Sequence, residues 1–118
     1  MTPGRSEDLQ IEIVERPSGV QLLKLTGPLT LRTLFEFQET ARRHAGPLVI
    51  DAECIPYMDS AGLGALIGIY VSCQRTGQKF AISNVPERVQ VLLEMTGVRG
   101  ILPCFASIDE AEARVMSQ

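Results

Sequence analysis

Three residues in this 118-residue chain have types and spacing that could do chemistry: Asp51, Asp59 and Ser60. The two carboxylates flank a short loop, 55–59, and the serine follows the second directly. An acid next to a hydroxyl invites the reading of an activated nucleophile, but a serine nucleophile also needs a base within hydrogen-bond reach. The single histidine, His44, falls on the polar side of an amphipathic stretch, and no Gly-x-Ser-x-Gly elbow surrounds Ser60. Hydrolysis is therefore not expected. The plainer reading is that Ser60 or Asp59 caps a helix that opens here, the commonest work of either residue at such a junction. Asp51 then accepts backbone hydrogen bonds that hold the loop, and Asp59 shapes the helix start. Cys54, Cys73 and Cys104 contain no Cys-x-x-Cys pair and leave one cysteine over in any disulfide scheme. Joined with His44 they match no zinc-ligand spacing, so they read as small hydrophobes in a reducing compartment. No metal and no cofactor is expected.

The elements that must position these residues can be read from periodicity and breakers. Leu9, Ile11 and Ile13 alternate with polar residues as in a half-buried strand, and 16–19, Arg-Pro-Ser-Gly, reads as a turn. Residues 20–25 return antiparallel and end at Gly27-Pro28. Over 31–45 a helical period takes over, with Leu31, Leu34, Phe35, Phe37, Ala41 and Ala45 on one arc and Arg32, Glu36, Glu39 and Arg43 opposite. A continuous apolar run at 48–52 suits a central strand covered on both faces. A second helix is expected over 60–76, closed by Gly77 in a left-handed cap. A strand at 79–83 follows, then a third helix from Pro86 to Thr96 with Gly97 past its end. An edge strand is expected within 101–105, since Pro103 excludes a central position. Ser107-Ile-Asp-Glu110 is a capping box that opens a last helix reaching Met116. The fold class is therefore α/β, one domain over 9–116, with a mixed sheet of four to five strands, an initial antiparallel hairpin and about four helices. Residues 1–8 are expected to be disordered.

Lys plus Arg number 11 against 14 Asp plus Glu, a net charge of −3. No basic stripe is available to neutralise phosphates, which argues against direct nucleic-acid binding. The longest uncharged run, Ser60 to Gln74, has 15 residues, shorter than the roughly 20 that a membrane span needs. No membrane insertion is expected, and the polar amino end without a secretory signal points to the cytoplasm.

The segment Ile55-Pro-Tyr-Met-Asp-Ser-Ala-Gly-Leu-Gly-Ala-Leu-Ile-Gly-Ile-Tyr70 resembles the signature of STAS domains, and most closely that of bacterial anti-sigma factor antagonists. The resemblance extends to Gly27-Pro28-Leu29, to Val49-Ile50-Asp51, to Ser83-Asn84-Val85-Pro86 and to Leu93-Glu94-Met95-Thr96-Gly97. It implies a binding protein and not an enzyme. Its partners would be an anti-sigma factor that is also a serine kinase and phosphorylates the motif serine, here Ser60, and a serine phosphatase. The chain departs from the pattern at Thr30, where these antagonists often carry an acidic residue that meets the partner. It departs again at Ala61, in place of a frequent Ser or Thr, which leaves Ser60 the sole hydroxyl of the motif.

The partner surface implied comprises Thr30, Tyr57, Met58, Asp59, Ser60, Ala61, Gly62, Gly64, Val91 and Met95. Gly62, Gly64 and Gly68 each weaken a helix by up to about 1 kcal/mol relative to alanine. Close helix packing explains Gly68 best, while at Gly62 and Gly64 a slim approach for a kinase is an equal explanation. Pro56, Tyr57 and Met58 either pack inward or form an exposed rim. Val91 and Met95 turn away from the stripe of Val89, Leu92 and Leu93, and either touch a neighbouring helix or extend the partner surface. A scaffold or lipid-transport accessory subunit acting by protein–protein binding is the alternative; the chain's length disfavours the cytoplasmic domain of an anion transporter.

Overall fold

The structure is a computed structural model that describes residues 8–117. The expectation for 1–8 falls on residues 1–7, which lie outside the described residues, and on Asp8, which is exposed. The elements run β1 (Gln10–Glu15), β2 (Gln21–Thr26), α1 (Leu34–Arg42), β3 (Leu48–Cys54), α2 (Ser60–Thr76), β4 (Phe80–Ser83), α3 (Glu87–Met95), β5 (Cys104–Phe105) and α4 (Ile108–Met116). The five strands lie in the order β1-β2-β3-β4-β5, with β1 antiparallel to β2 and every later pair parallel.

Alternation along the strands separates two cores. Leu23, Leu25, Leu48, Ile50, Phe80 and Ile82 face α1, α2 and α3, which lay down Leu34, Phe37, Leu63, Leu66, Ile69, Val89 and Leu93. Leu22, Val49 and Ala81 face the other way, onto Ala111 and Val115 of α4. One consequence of three parallel crossovers on a single face is that α1, α2 and α3 all begin at the carboxyl edge of the sheet. That edge carries the site.

Local signals account for most boundaries. Gly77 and Gly97 adopt the left-handed conformation, both at φ +76, just past α2 and α3. The Ser107 hydroxyl accepts from the Glu110 N–H at 3.1 Å, as a capping box requires, while the Glu110 carboxylate reaches back to the Ala106 N–H, one residue beyond the reciprocal bond to the Ser107 N–H. Pro86 is the cap of α3 and not its first helical residue. β5 is shorter than expected because 99–102 turn before the chain meets β4.

The first helix departs most from expectation. It begins at Leu34, because the Thr30 carbonyl accepts the N–H groups of both Thr33 and Leu34 and holds Leu31 in a turn. Its buried residues are Leu34, Phe37, Thr40 and Ala41, whereas Leu31 and Phe35 are 63% and 70% exposed. At about 100° per residue, Leu34, Phe37 and Ala41 fall within about 60° of one another, and Phe35 lies about 100° or more from each. The true core stripe is narrower than the apolar arc of the sequence. His44 lies beyond this helix, past its cap at Arg43, and is partly buried.

Candidate functional site

Two loops at the carboxyl edge, 27–33 and 55–59, are stitched into one unit. The Gly27 N–H donates to the Cys54 carbonyl at 3.0 Å, the Leu29 N–H to the Tyr57 carbonyl at 3.3 Å, and the Asp59 N–H to the Leu29 carbonyl at 3.3 Å. Leu29 and Met58 pair across the join as a parallel bridge, and both are buried. The Thr33 hydroxyl, itself buried, donates to the Pro28 carbonyl at 2.9 Å and accepts the Thr30 N–H at the same distance. A loop with its backbone groups paired in this way holds one shape.

Asp59 caps α2. One carboxylate oxygen accepts the Gly62 N–H at 2.7 Å, and the other accepts the Leu31 N–H at 3.2 Å. A single side chain therefore satisfies an orphan donor of α2 and fixes the turn that leads into α1. Ser60 is the first residue of α2 and is exposed. Its hydroxyl stands at the positive end of a 17-residue helix whose cap is already occupied by a carboxylate.

The other expected residues divide by burial. Tyr57, Gly64, Val91 and Met95 are exposed, with Met95 at 79%, and Thr30, Asp59 and Ala61 are half-buried. Val91 and Met95 thus do not cover a neighbouring helix. Met58 and Gly62 are buried, which removes them from any contact surface and gives them packing roles instead. The loop divides its side chains, with Pro56 and Tyr57 outward and Met58 inward. The glycines reverse expectation. A Cβ on Gly62 would stand 1.9 Å from the Leu29 carbonyl oxygen, so Gly62 is the close-packing glycine, while at Gly64 and Gly68 a Cβ would meet nothing within 4 Å. Gly68 therefore does not pack closely on the sheet.

Asp51 is 3% exposed and accepts from the Ser83 hydroxyl at 3.0 Å and the Asn84 side-chain amide at 2.9 Å. It binds side chains of the neighbouring strand and not the backbone of its own loop. This fixes Asn84 at φ +57, where the chain leaves β4 for α3. No nucleophilic pair is assembled: the His44 carbonyl accepts from the Gln78 side chain at 2.8 Å, and His44 lies beside the carboxyl-terminal half of α2 with Ile69, Ser72, Cys73 and Thr76, whereas Ser60 opens that helix at its other end. Among the described residues no three of His, Cys, Asp and Glu gather where a metal ion could be held. Burial pushes the thiols of Cys73 and Cys104 up from their ordinary value, with Arg99 opposing the shift at Cys104. No described helix is long and apolar enough to cross a membrane.

Comparison with known proteins gives one family over nearly the whole chain. The STAS domain profile matches residues 11–111. An anti-sigma F factor antagonist of Paenibacillus polymyxa is 32% identical over 103 residues, covering 83% of this chain and 87% of the relative. An anti-sigma-B factor antagonist of Staphylococcus aureus is 30% identical over 84 residues, 68% of this chain and 78% of the relative. The crystal structure of an anti-sigma factor antagonist from Mycobacterium paratuberculosis superposes with a TM-score of 0.81 over 97% of both chains at 18% identity, a likeness of fold.

Proposed function

Because this chain belongs to the STAS domain family, we propose that it is an anti-sigma factor antagonist. Unmodified, it binds an anti-sigma factor that is also a serine kinase and so releases the sigma factor in the cytoplasm. Phosphorylation of Ser60 by that kinase switches it off, and a serine phosphatase resets it. The observation that carries this reading is the exposed Ser60 at the start of α2, on a loop whose backbone is already paired. Two relatives at 30% identity or above that are named as antagonists support it.

In this reading the chain performs no reaction of its own. A kinase supplies the base and the metal for phosphoryl transfer, so its substrate needs only an accessible hydroxyl and room around it. Gly64 provides room: nothing within 4 Å requires glycine there, and a bare Cα one helical turn after Ser60 lets a partner come close. Thr30, Tyr57, Asp59 and Ala61 surround the acceptor, and Val91 and Met95 extend the contact along α3.

The switch is electrostatic. A phosphate adds about −1.5 to −2 charges at pH 7, directly beside the Asp59 carboxylate. The helix dipole favours an anion at this end, so α2 persists. The partner surface, however, must then bury an unmatched dianion. Each tenfold loss of affinity needs about 1.4 kcal/mol, and an uncompensated charge in an interface costs several times that, so a loss of about a hundredfold or more is expected. Calorimetric titration of wild type, Ser60→Ala, Ser60→Asp and phosphorylated protein against the kinase tests this, with mass spectrometry locating the phosphate. Ser60→Ala should bind and resist modification, while the phosphorylated form and Ser60→Asp should bind weakly. Equal affinity for all forms, or phosphate on Thr76 with Ser60 unmodified, would reject it.

A further inference from the structure

Two large apolar side chains on α1 and its approach are exposed without serving the core: Leu31, at 63%, and Phe35, at 70%. They are four residues apart, Leu31 in the turn before α1 and Phe35 in its first turn, and α1 has its own core stripe in Leu34, Phe37 and Ala41. Neither position is needed for folding, since a polar residue would satisfy an outward-facing site at no loss of packing. Their place in the fold matters more than their number. The Leu31 N–H donates to the Asp59 carboxylate that caps α2, so Leu31 adjoins the residue directly before Ser60. Phe35 follows in the first turn of α1.

We infer that Leu31 and Phe35 form the apolar anchor by which the kinase that modifies Ser60 holds this protein. This rests on the reading of Ser60 given above. A standard interface takes about 800 Å² from each partner, a disc of about 16 Å radius, and such a disc centred on Ser60 takes in Leu31, whose N–H is bonded to the residue before Ser60, and extends toward Phe35 in the first turn of α1. The occupant is therefore the protein that reaches the serine. Its complementary surface is an apolar pocket with a polar rim, matched to the exposed Arg32, Glu36 and Glu39 around the pair. An aromatic side chain in such a pocket is the usual form of a dominant contact. Being removed from the reacting hydroxyl, the pair contributes equally before and during phosphoryl transfer, so its loss acts on KM and not on kcat.

The test titrates wild type, Leu31→Glu and Phe35→Glu against the purified serine-kinase anti-sigma factors of the same genome, one at a time, and follows phosphorylation and thermal unfolding. For the kinase that binds wild type, each variant should lose about thirtyfold or more in affinity. KM should rise in step, with kcat and Tm nearly unchanged. Should the added charge lower Tm, the neutral Phe35→Gln gives the same comparison. A kinase that binds wild type, rejects Ser60→Asp and binds both Glu variants as tightly as wild type overturns the anchor and leaves the switch standing. If no kinase binds wild type, both fail. If wild type sediments as a dimer and Phe35→Glu as a monomer with unchanged kinase affinity, the patch belongs to a second copy of this chain and the anchor is rejected.

Discussion

Gly62 lies so close to Leu29 that a Cβ built on it would stand 1.9 Å from the Leu29 carbonyl oxygen. That oxygen also accepts the Asp59 N–H, so it cannot move without opening the join between the two loops. Gly62→Ala should therefore destabilise by about 2 kcal/mol or more, overpacking outweighing the gain of roughly 1 kcal/mol in helix propensity. Gly68→Ala, in open space, should stabilise by about 0.5–1 kcal/mol. Urea unfolding of the two variants shows opposite signs if this packing is right.

Asp59 ties two helices to one loop, so its removal reaches farther than an ordinary cap. Asp59→Ala loses the bonds to Gly62 and Leu31 together and should cost about 1–3 kcal/mol. Asp59→Asn keeps one acceptor oxygen and should restore a good part of that. Hydrogen exchange at the Leu31 amide should accelerate in the Ala variant, well beyond the change at the carboxyl end of α2.

Met95 bears on the partner surface without bearing on the fold. At 79% exposure, Met95→Glu should move stability by no more than about 0.5 kcal/mol. Binding to the kinase should weaken measurably in the same variant. Unchanged affinity would remove the far end of α3 from the contact.

A pH-dependent clamp joins the first hairpin to the last helix. The Arg16 guanidinium binds the Glu112 carboxylate through Nε at 3.1 Å and through a terminal nitrogen at 2.7 Å, and the Ser18 hydroxyl donates to the same carboxylate. The bond from Arg16, then that from Ser18, holds the Glu112 carboxyl below the usual glutamate range, and Arg16 is correspondingly raised. A carboxyl with a lowered folded value stabilises the fold above its unfolded value and loses that contribution as pH falls through the folded one. The stability difference between wild type and Glu112→Gln should be full at neutral pH. It should shrink as acid takes pH below the ordinary glutamate range and vanish below the lowered value. A difference that stays constant across that range would contradict the clamp.

What the sequence determined by itself is the order of the elements and the place of Ser60 at a helix start. Those signals are local: a cap, a left-handed glycine or a proline acts on backbone groups within about four residues, so Asp59, Gly77, Pro86, Gly97 and Ser107 mark boundaries before any packing is known. The STAS likeness was legible for the same reason, since the motif is contiguous from Ile55 to Tyr70. Only the tertiary structure decided which way side chains face and what holds them. Tyr57 and Met58 are adjacent in the chain and either could pack inward, and the bridge from Leu29, far earlier in the chain, turns one out and the other in. Gly62 and Gly68 look alike in a helix, and the carbonyl that distinguishes them belongs to another loop. The apolar arc of α1 is wider than the face the sheet covers, so Leu31 and Phe35 remain outside. Asp51 finds Ser83 and Asn84 some 32 residues on, and Arg16 finds Glu112 across 96. Burial and pairing depend on contacts between residues distant in sequence, and periodicity, which knows only spacing, carries no record of them.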